Sequence, residues 1–370
     1  MPRSPRTRLG AAGAALAGIL LIAAGCGGGG GGGGPKIALL LPENKTARYE
    51  SHDRPDFEKK VKALCSNCSI VYSNANQDAS TQQSQAESAL TQGAKVMVLD
   101  AVDAASAGTI VQKAKAQKVP VVSYDRLVTN ADIDYYVSFD NVQVGKLQAT
   151  TLTDKLKAMG KAKGPITMVN GAPTDNNAKL FKQGATSVFS AQGVKVAKQY
   201  DTPDWSPDKA QNEMQQAITA LGNTGFAGAY AANDGTAGGV IAAMKSAGIN
   251  PATRPTTGQD AELDAVQRIL AGQQFMTVYK AVTPEAQDTA EIAVALAKGQ
   301  KPQLNSIQNQ GEEKVQAVDN SKKKVPSLIL KPVAVTKANV KDTIVKDKFW
   351  TAAQICTSAY QAACKAAGIS

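Results

Sequence analysis

The sequence predicts an α/β protein with two lobes, each built on a parallel β-sheet. Short β-branched runs alternate with longer helical patterns, which is typical of parallel strands whose two faces are covered by helices. The strand candidates are too numerous for one small sheet, so two lobes are the natural division. The 370 residues, 43% hydrophobic and 19% charged, suffice for two such lobes and are too mixed for a disordered chain.

The predicted elements follow one another in regular alternation after a glycine run. Strands are predicted at Lys36–Leu41, Ile70–Ser73, Val96–Asp100, Val119–Tyr124, Tyr135–Phe139, Pro165–Asn170, Lys195–Tyr200, Gly228–Ala231, Pro255–Gly258 and Phe275–Tyr279. Helices are predicted between them at Asp56–Leu64, Thr81–Thr91, Ala104–Gln117, Val142–Met159, Asn176–Ala191, Pro207–Leu221 and Ala261–Ala271.

We expect the chain to cross between the lobes three times, near Asp140–Asn141, Lys280–Ala281 and Lys331–Pro332. These crossings assign residues 36–140 and 281–330 to an N-terminal lobe, and residues 141–280 and 331–349 to a C-terminal lobe. Residues 350–370 then form a helical tail that is tied down by its cysteine pair.

The composition excludes several classes of function. His52 is the only histidine, so a histidine-rich zinc site is impossible and a Ser-His-Asp triad would depend on it alone. No phosphate-loop motif occurs, and no cofactor is predicted. The formal charge of +10 is carried by short basic runs that are interspersed with acids. Such runs are typical of solvated surface, so we predict no nucleic-acid partner.

Residues 1–25 have the pattern of an export signal. Arg3, Arg6 and Arg8 precede an apolar, alanine-rich stretch from Leu9 to Ala24. The stretch ends in Leu-Ile-Ala-Ala-Gly-Cys, which resembles the bacterial lipobox, so Cys26 is the predicted lipidation site. Glycines 27–34 then form a flexible tether, and residues 26–35 link the anchor to the folded body. The alternative is an ordinary secretory signal followed by a chance cysteine.

Four further cysteines predict disulfides, because an exported chain with an even number usually pairs them. Three pairings are possible, and we favour Cys65 with Cys68 and Cys356 with Cys364 because each pair is local. Cys65-Ser66-Asn67-Cys68 also fits a redox motif. That motif opens a helix after a strand, whereas this one closes a helical stretch, so a structural role is favoured.

Polar side chains follow most of the predicted strands at their carboxyl ends, where open parallel sheets bind ligands. A single Asn or Asp there is usually a helix cap, but six strand ends with such residues predict one cleft. The charges are balanced, because Arg48, Arg126 and Lys280 face Asp125, Asp234 and Asp260. A balanced set suits an uncharged, many-hydroxyl ligand, since each hydroxyl both donates and accepts. Tyr49 and Trp205 are placed to sandwich a sugar ring.

No catalytic set emerges from the same residues. A glycosidase carboxylate pair is not excluded by composition, but neighbouring cations would lower the carboxyl pKa values and disfavour a general acid.

Several motifs resemble the periplasmic sugar-binding proteins of ABC importers, in the ribose- and xylose-binding family. The resemblance extends from about Lys36 to about Phe349. Its most specific stretches are Tyr124–Arg126, Asp132–Asp134, Ser138–Asn141, Asp175–Phe181, Asn233–Gly239, Gly258–Ala261 and Thr277–Lys280.

The resemblance implies two Rossmann-like lobes that are joined by three hinge strands and close on a monosaccharide. It implies a non-enzymatic receptor, a monomer that delivers D-xylose or a related sugar to a permease and its ATPase. The sugar contacts it implies are Arg48, Asp125, Arg126, Asn176 or Asn177, Trp205, Asn233, Asp260 and Lys280, with Tyr49 stacking on the ring.

Other functions stay open at this point. A surface receptor that feeds a sensor kinase would share the same core, and the sugar could be ribose, arabinose or galactose. A transcription regulator would need a DNA-binding helix-turn-helix where the export signal stands. An extracellular glycoside hydrolase would release product from xylosides.

Overall fold

The computed structural model describes residues 33–307 and 313–369. The predicted export signal, Cys26 and most of the glycine tether lie outside the described residues. The strands are β1 Lys36–Leu41, β2 Ser69–Asn74, β3 Ala94–Leu99, β4 Val121–Tyr124, β5 Tyr135–Phe139, β6 Ile166–Asn170, β7 Val196–Asp201, β8 Gly228–Ala231, β9 Met276–Tyr279, β10 Lys314–Asp319, β11 Lys324–Leu330 and β12 Val333–Thr336.

The α-helices alternate with these strands over most of the chain. They are α1 Arg54–Leu64, α2 Ala79–Thr91, α3 Gly108–Ala116, α4 Asn141–Ala158, α5 Asn176–Gln192, α6 Pro207–Leu221, α7 Asp234–Ser246, α8 Leu263–Leu270, α9 Val282–Ala297, α10 Ala352–Ile355 and α11 Gln361–Ala366.

Seven strands form the larger sheet, in the order β10-β11-β5-β4-β3-β1-β2. All neighbours are parallel except β10, which pairs antiparallel with β11. The apolar run of β1 is buried at five consecutive positions, because helices cover both faces of the sheet. Helices α1 and α9 lie on one face and α2 and α3 on the other.

A second, three-stranded parallel sheet has the order β7-β6-β8. Helices α4 and α5 cover one face, and α6 and α7 cover the other. The predicted strand Pro255–Gly258 is reduced to one parallel bridge, between Ala229 and Thr256. Beside it, β9 pairs antiparallel with β12. We call the part of the chain around the larger sheet the first lobe and the part around the two smaller sheets the second lobe.

The chain passes between the two sets of strands after β5, after β9 and after β11. The prediction of an α/β fold with two mostly parallel, helix-covered sheets is confirmed. Helices α7 and α9 and strands β10, β11 and β12 were not predicted. Helix α9 packs in the first lobe, to which residues 281–330 were assigned, and the β10–β11 hairpin extends the edge of its sheet.

The C-terminal tail packs against the second lobe through α8, β9 and β12. Disulfides join Cys65 to Cys68 at the end of α1, and Cys356 to Cys364 within the tail. Among the described residues, no helix combines the length and apolar character needed to cross a membrane.

Candidate ligand-binding site

A polar cavity lies between the two lobes. Its free volume is about 20 Å³, so the lining side chains nearly fill it in this form of the protein. The cavity lies at the carboxyl ends of the strands, where loops turn into the next helix. It is lined by Thr46, Arg48, Tyr49, Asp125, Arg126, Asp175, Asn177, Phe181, Trp205, Asn233, Gln259, Asp260 and Lys280.

Three lining residues are held in left-handed backbone conformations. Asp125 follows β4 with φ of +50°, Trp205 lies at +53°, and Asp260 lies at +100°. Non-glycine residues rarely adopt such angles, and the surrounding structure must enforce them. The main chain of Asp125 is fixed by its N–H to Val137 O, and its carbonyl accepts from the Ser138 hydroxyl. Local strain therefore aims these side chains into the cavity.

Arg48 contributes one buried positive charge from the loop after β1. Its guanidinium is held by both oxygens of Asp53, with Nε–Oδ2 at 3.0 Å and Nη2–Oδ1 at 2.6 Å. Nη2 also lies 3.0 Å from Asp125 Oδ2 and 3.3 Å from Glu285 Oε2. Asp260 of the second lobe is 3.5 Å from Nη1. Arg48 is thus fixed by its own lobe and reaches the opposite one.

Arg126 contributes the second charge and is also surrounded by acids. Nε lies 3.0 Å from Asp175 Oδ2, across the cleft, and 3.5 Å from Asp100 Oδ1. Nη2 donates to the Tyr49 hydroxyl at 3.2 Å and lies 3.8 Å from Glu43 Oε1. The guanidinium therefore has charged partners on both lobes.

Lys280, which directly follows β9, is the third cation. Its Nζ donates to Asp125 Oδ1 at 3.3 Å and lies 3.7 Å from Asp260 Oδ1. Burial on its own would raise the pKa of Asp125, but Arg48, Lys280 and Arg126 together lower it to about 2. Asp125 is consequently a permanent anion at the centre of the site.

The other acids of the site behave differently from Asp125. Burial raises the pKa of Asp260 and of Asp175, although the neighbouring cations act against it. Burial also raises the pKa of Asp100 and of Glu285 well above the usual carboxyl range. A carboxyl group that keeps its proton can donate as well as accept a hydrogen bond.

An aromatic wall belongs to the second lobe. The Trp205 ring packs edge-on against Phe181, with ring centroids 6.4 Å apart, and its Nε1 donates to Asp175 Oδ2 at 3.1 Å. Gly171 makes room for this ring, because a Cβ at that position would lie 1.9 Å from Trp205 Cη2. The ring thus presents a fixed apolar surface beside charged groups.

The lining has the chemistry for a neutral, polyhydroxylated ligand. Three cations and three carboxylates line the cavity, so it carries no strong preference for either sign of charge. The amides of Asn177, Asn233 and Gln259 add donors and acceptors, and Gln259 Oε1 finds no hydrogen-bond partner among the described residues. No cluster of side chains able to hold a metal ion occurs in the described part of the chain.

Most of the predicted site residues meet in this cavity. Those that line it are Arg48, Tyr49, Asp125, Arg126, Asn177, Trp205, Asn233, Asp260 and Lys280. Asn176 and Asp234 do not. Both oxygens of Asp234 accept hydrogen bonds inside the second lobe, from Gln274, Thr277 and the Glu262 N–H. We therefore leave Asp234 and Asn176 out of the site.

Sequence reasoning missed four lining residues, namely Thr46, Asp175, Phe181 and Gln259. Asp175 directly precedes the predicted site residue Asn176, and Gln259 directly precedes Asp260. Their place at two strand ends was the one signal in the sequence that could have identified them as lining residues. Asp175 also caps α5 by accepting from Asn177 N, so its pattern indicated only a helix cap.

Comparisons with known proteins agree with this architecture. Residues 37–301 match the family described as the periplasmic binding protein domain. The chain is 37% identical over 318 residues to the D-xylose-binding periplasmic protein of Escherichia coli K12, which covers 85% of this chain and 90% of that protein. It is 32% identical over 336 residues to the multiple sugar-binding periplasmic receptor ChvE of Rhizobium radiobacter, covering 86% and 92% respectively.

A solved structure gives the same picture. An ABC transporter solute binding protein from Clostridium phytofermentans with bound β-D-glucose superposes with a TM-score of 0.75 at 28% identity, covering 86% of this chain and 99% of that chain. The predicted resemblance and the prediction that the chain is not an enzyme are both confirmed. Because the family match spans most of the chain and these relatives align over nearly their whole lengths, the chain belongs to the periplasmic binding proteins, which bind solutes without transforming them.

Proposed function

We propose that this protein is the substrate-binding component of an ABC sugar importer and that its ligand is D-xylose or a closely related monosaccharide. The observation that carries the proposal is the pairing of evenly matched buried charges with an aromatic wall in one small cavity. Two relatives at 37% identity are named D-xylose-binding periplasmic proteins, which supports the choice of sugar.

The charges of the cavity favour hydroxyl groups over charged ligands. Hydrogen bonds from hydroxyls to charged partners contribute about 1.5–3 kcal/mol each, roughly twice the value for neutral pairs. An anionic ligand would leave Asp125, Asp175 and Asp260 opposed to it, and a cationic ligand would face Arg48, Arg126 and Lys280. A sugar can instead donate to the acids and accept from the cations, while its apolar face lies on Trp205.

Binding requires the lobes to move apart and then close. The lining charges are only 2–4% exposed, so a sugar enters only when the cleft opens. Ion pairs cross the cleft at Arg48–Asp260 and Arg126–Asp175. A ligand that touches both walls shifts this equilibrium by its differential affinity for the closed form.

We further propose that Cys26 carries a lipid that anchors the monomeric protein to the outer face of the cytoplasmic membrane, where it meets the permease and its ATPase. Cys26→Ala is expected to move the protein from the membrane fraction into the soluble extracytoplasmic fraction. Cys65→Ala, which removes a cysteine of the folded body, serves as the control and should stay in the membrane fraction. A Cys26→Ala protein that remains membrane-bound would contradict the anchor.

Calorimetric titration tests the ligand. The purified protein is titrated with D-xylose, D-ribose, L-arabinose, D-galactose and D-glucose. D-xylose is expected to bind most tightly. Lys280→Ala should weaken binding at least tenfold, because Asp125 and Asp260 lose a shared cation.

Lys182→Ala is the matched control, since Lys182 pairs with Asp201 on the surface of the second lobe, away from the cavity. Its affinity should equal that of the wild type. If no sugar binds, or if Lys280→Ala and Lys182→Ala behave alike, the proposal is wrong.

A further inference from the structure

The C-terminal tail carries an aromatic pair that touches both lobes next to the cavity. Phe349 and Trp350 are buried in the core that the tail shares with α8, β9 and β12, so they belong to the second lobe. The Phe349 ring stacks on the imidazole of His52, with centroids 4.0 Å apart and planes 18° apart. Trp350 approaches the same imidazole edge-on at 4.6 Å. His52 lies in the first lobe.

On the second-lobe side, Trp350 supports a residue of the cavity. Its Nε1 donates to Ala261 O at 2.8 Å. Ala261 follows Asp260, and both have positive φ, at +55° and +100°. A hydrogen bond to this carbonyl fixes the strained turn that holds the Asp260 carboxylate toward Arg48 and Lys280.

On the first-lobe side, His52 neighbours a residue that fixes Arg48. Asp53 follows His52 in the chain and holds the Arg48 guanidinium through both of its oxygens. The same loop touches the second lobe once more, where Ala47 N donates to Glu262 Oε1 at 3.2 Å. The loop that carries Arg48 and Tyr49 therefore rests on the tail and on the start of α8.

We propose that Phe349 and Trp350 are positioning residues for ligand binding, which clamp His52 of the first lobe to the Asp260–Ala261 turn of the second and stabilise the closed cleft. The inference rests on the proposed function, because sugar affinity is its principal measure. None of the three residues contacts the cavity, so the clamp acts through Asp260 and through the loop of Arg48.

The clamp also makes sugar affinity depend on pH through the protonation of His52. Burial lowers the pKa of His52, and Arg48 also lowers it, while Asp53 and Asp56 act in the opposite direction. Two further acids on elements packed near the clamp have other partners: Asp347 on the tail bonds to Tyr279, and Glu285 on α9 pairs with Arg48. Because the closed form disfavours imidazolium, sugar affinity should fall as the pH drops from about 7 to about 5, where the open form takes up the proton.

The test compares three variants by titration with D-xylose and by small-angle X-ray scattering without sugar. His52→Ala removes the stack and should weaken affinity about three- to tenfold, as expected for an aromatic pair. Trp350→Phe keeps a ring but loses the N–H donor, and should cost about fivefold. His52→Phe keeps the stack, so it should restore affinity near neutral pH and remove the acid-dependent loss. His52→Ala should also enlarge the radius of gyration of the sugar-free protein.

Tyr360→Ala, elsewhere on the tail, is the control and should match the wild type in both measurements. Wild-type affinity and an unchanged radius of gyration in His52→Ala and Trp350→Phe would overturn the clamp, even if their melting temperatures fall. If the wild type binds no sugar, the proposed function fails by itself. The scattering comparison then still decides the clamp, since a radius unchanged in His52→Ala refutes it and an enlarged one supports it.

Discussion

The two lobes contribute different side chains to the walls of the cavity. The first-lobe wall carries Arg48 and Arg126, and each guanidinium is held by carboxylates of its own lobe before any ligand is considered. The second-lobe wall also carries charges, on Asp175, Asp260 and Lys280, and it adds the rings of Trp205 and Phe181, whose placement depends on the absence of a side chain at Gly171. We call the first wall the charged wall because both arginines belong to it, and the second the shaped wall because the Trp205 ring belongs to it.

The largest expected loss of affinity comes from removing a cation of the charged wall. Arg126→Ala leaves Asp100 and Asp175 buried without their cation, and removing one partner of a buried ion pair costs about 3–5 kcal/mol. Calorimetry should show D-xylose binding weakened by several kcal/mol, while circular dichroism shows the fold retained. Arg126→Lys keeps the charge but not the planar fork, so its D-xylose affinity should lie between those of the wild type and Arg126→Ala. Unchanged affinity in Arg126→Ala would remove this residue from the site.

The next largest loss of affinity comes from displacing the Trp205 ring of the shaped wall without substituting any lining residue. Gly171→Ala places a Cβ against the Trp205 ring, which must move. We expect affinity for D-xylose to fall about ten- to a hundredfold, in line with about 1.4–2.8 kcal/mol of lost contact with one ring.

Gly235→Ala is the matched control, because its Cβ would meet neighbours only at 3.6–3.7 Å, an ordinary contact distance. Equal affinities in Gly171→Ala and Gly235→Ala would show that the position of Trp205 is irrelevant to binding.

A third prediction sharpens the comparison through pH. The first-lobe anion Asp125 stays ionised because cations surround it, whereas Asp234 of the second lobe has burial as the main influence, which raises its pKa to about 7. A raised folded-state pKa stabilises the protein below the unfolded value of 3.8 and loses that contribution as the pH rises through 7.

Denaturant unfolding at pH 5 and pH 7 measures this effect. Asp234 should make the free energy of unfolding fall by roughly 2 kcal/mol over that interval, since one pKa unit corresponds to about 1.36 kcal/mol. Asp234→Asn should lose this slope. An identical slope in both proteins would place the titration elsewhere.

The smallest expected effect concerns the two disulfides. Both close short loops, with sequence separations of 3 and 8, so the chain-entropy model gives each only about 2 kcal/mol. Cys65→Ser with Cys68→Ser should lower the melting temperature and leave D-xylose affinity unchanged, because the bridge lies at the end of α1. A loss of affinity in this double variant would connect that end of the first lobe to the site.

The local pattern of the sequence predicts the strands well and the returning elements poorly. The bounds of Lys36–Leu41, Tyr135–Phe139 and Gly228–Ala231 agree with the structure, because buried apolar runs between turn signals leave few alternatives. Helix α9 is buried on nearly every side, so it lacks the polar face that would have marked it.

The site follows the same rule. Strand ends indicated most lining residues, because topology alone brings those ends together. The direction of each side chain was beyond the pattern. Asn177 points into the cavity and Asn176 does not, and Asp234 turns back toward Gln274 and Thr277. The supporting acids Asp53 and Glu285 come from segments whose local sequence carries no sign of a ligand.

The left-handed backbone at Asp125, Trp205 and Asp260 has a consequence for protein engineering. Glycine would relieve the torsional strain at each of these positions, which is about 1–3 kcal/mol, but it would also remove a buried side chain. The carboxylates of Asp125 and Asp260 pair with buried cations, and the Trp205 ring packs on Phe181. Losing one partner of a buried ion pair, or a large buried ring, costs about 3–5 kcal/mol, which exceeds the relief of strain. Glycine at these positions therefore lowers both heat resistance and solute binding, so a screen for thermal tolerance alone retains all three residues.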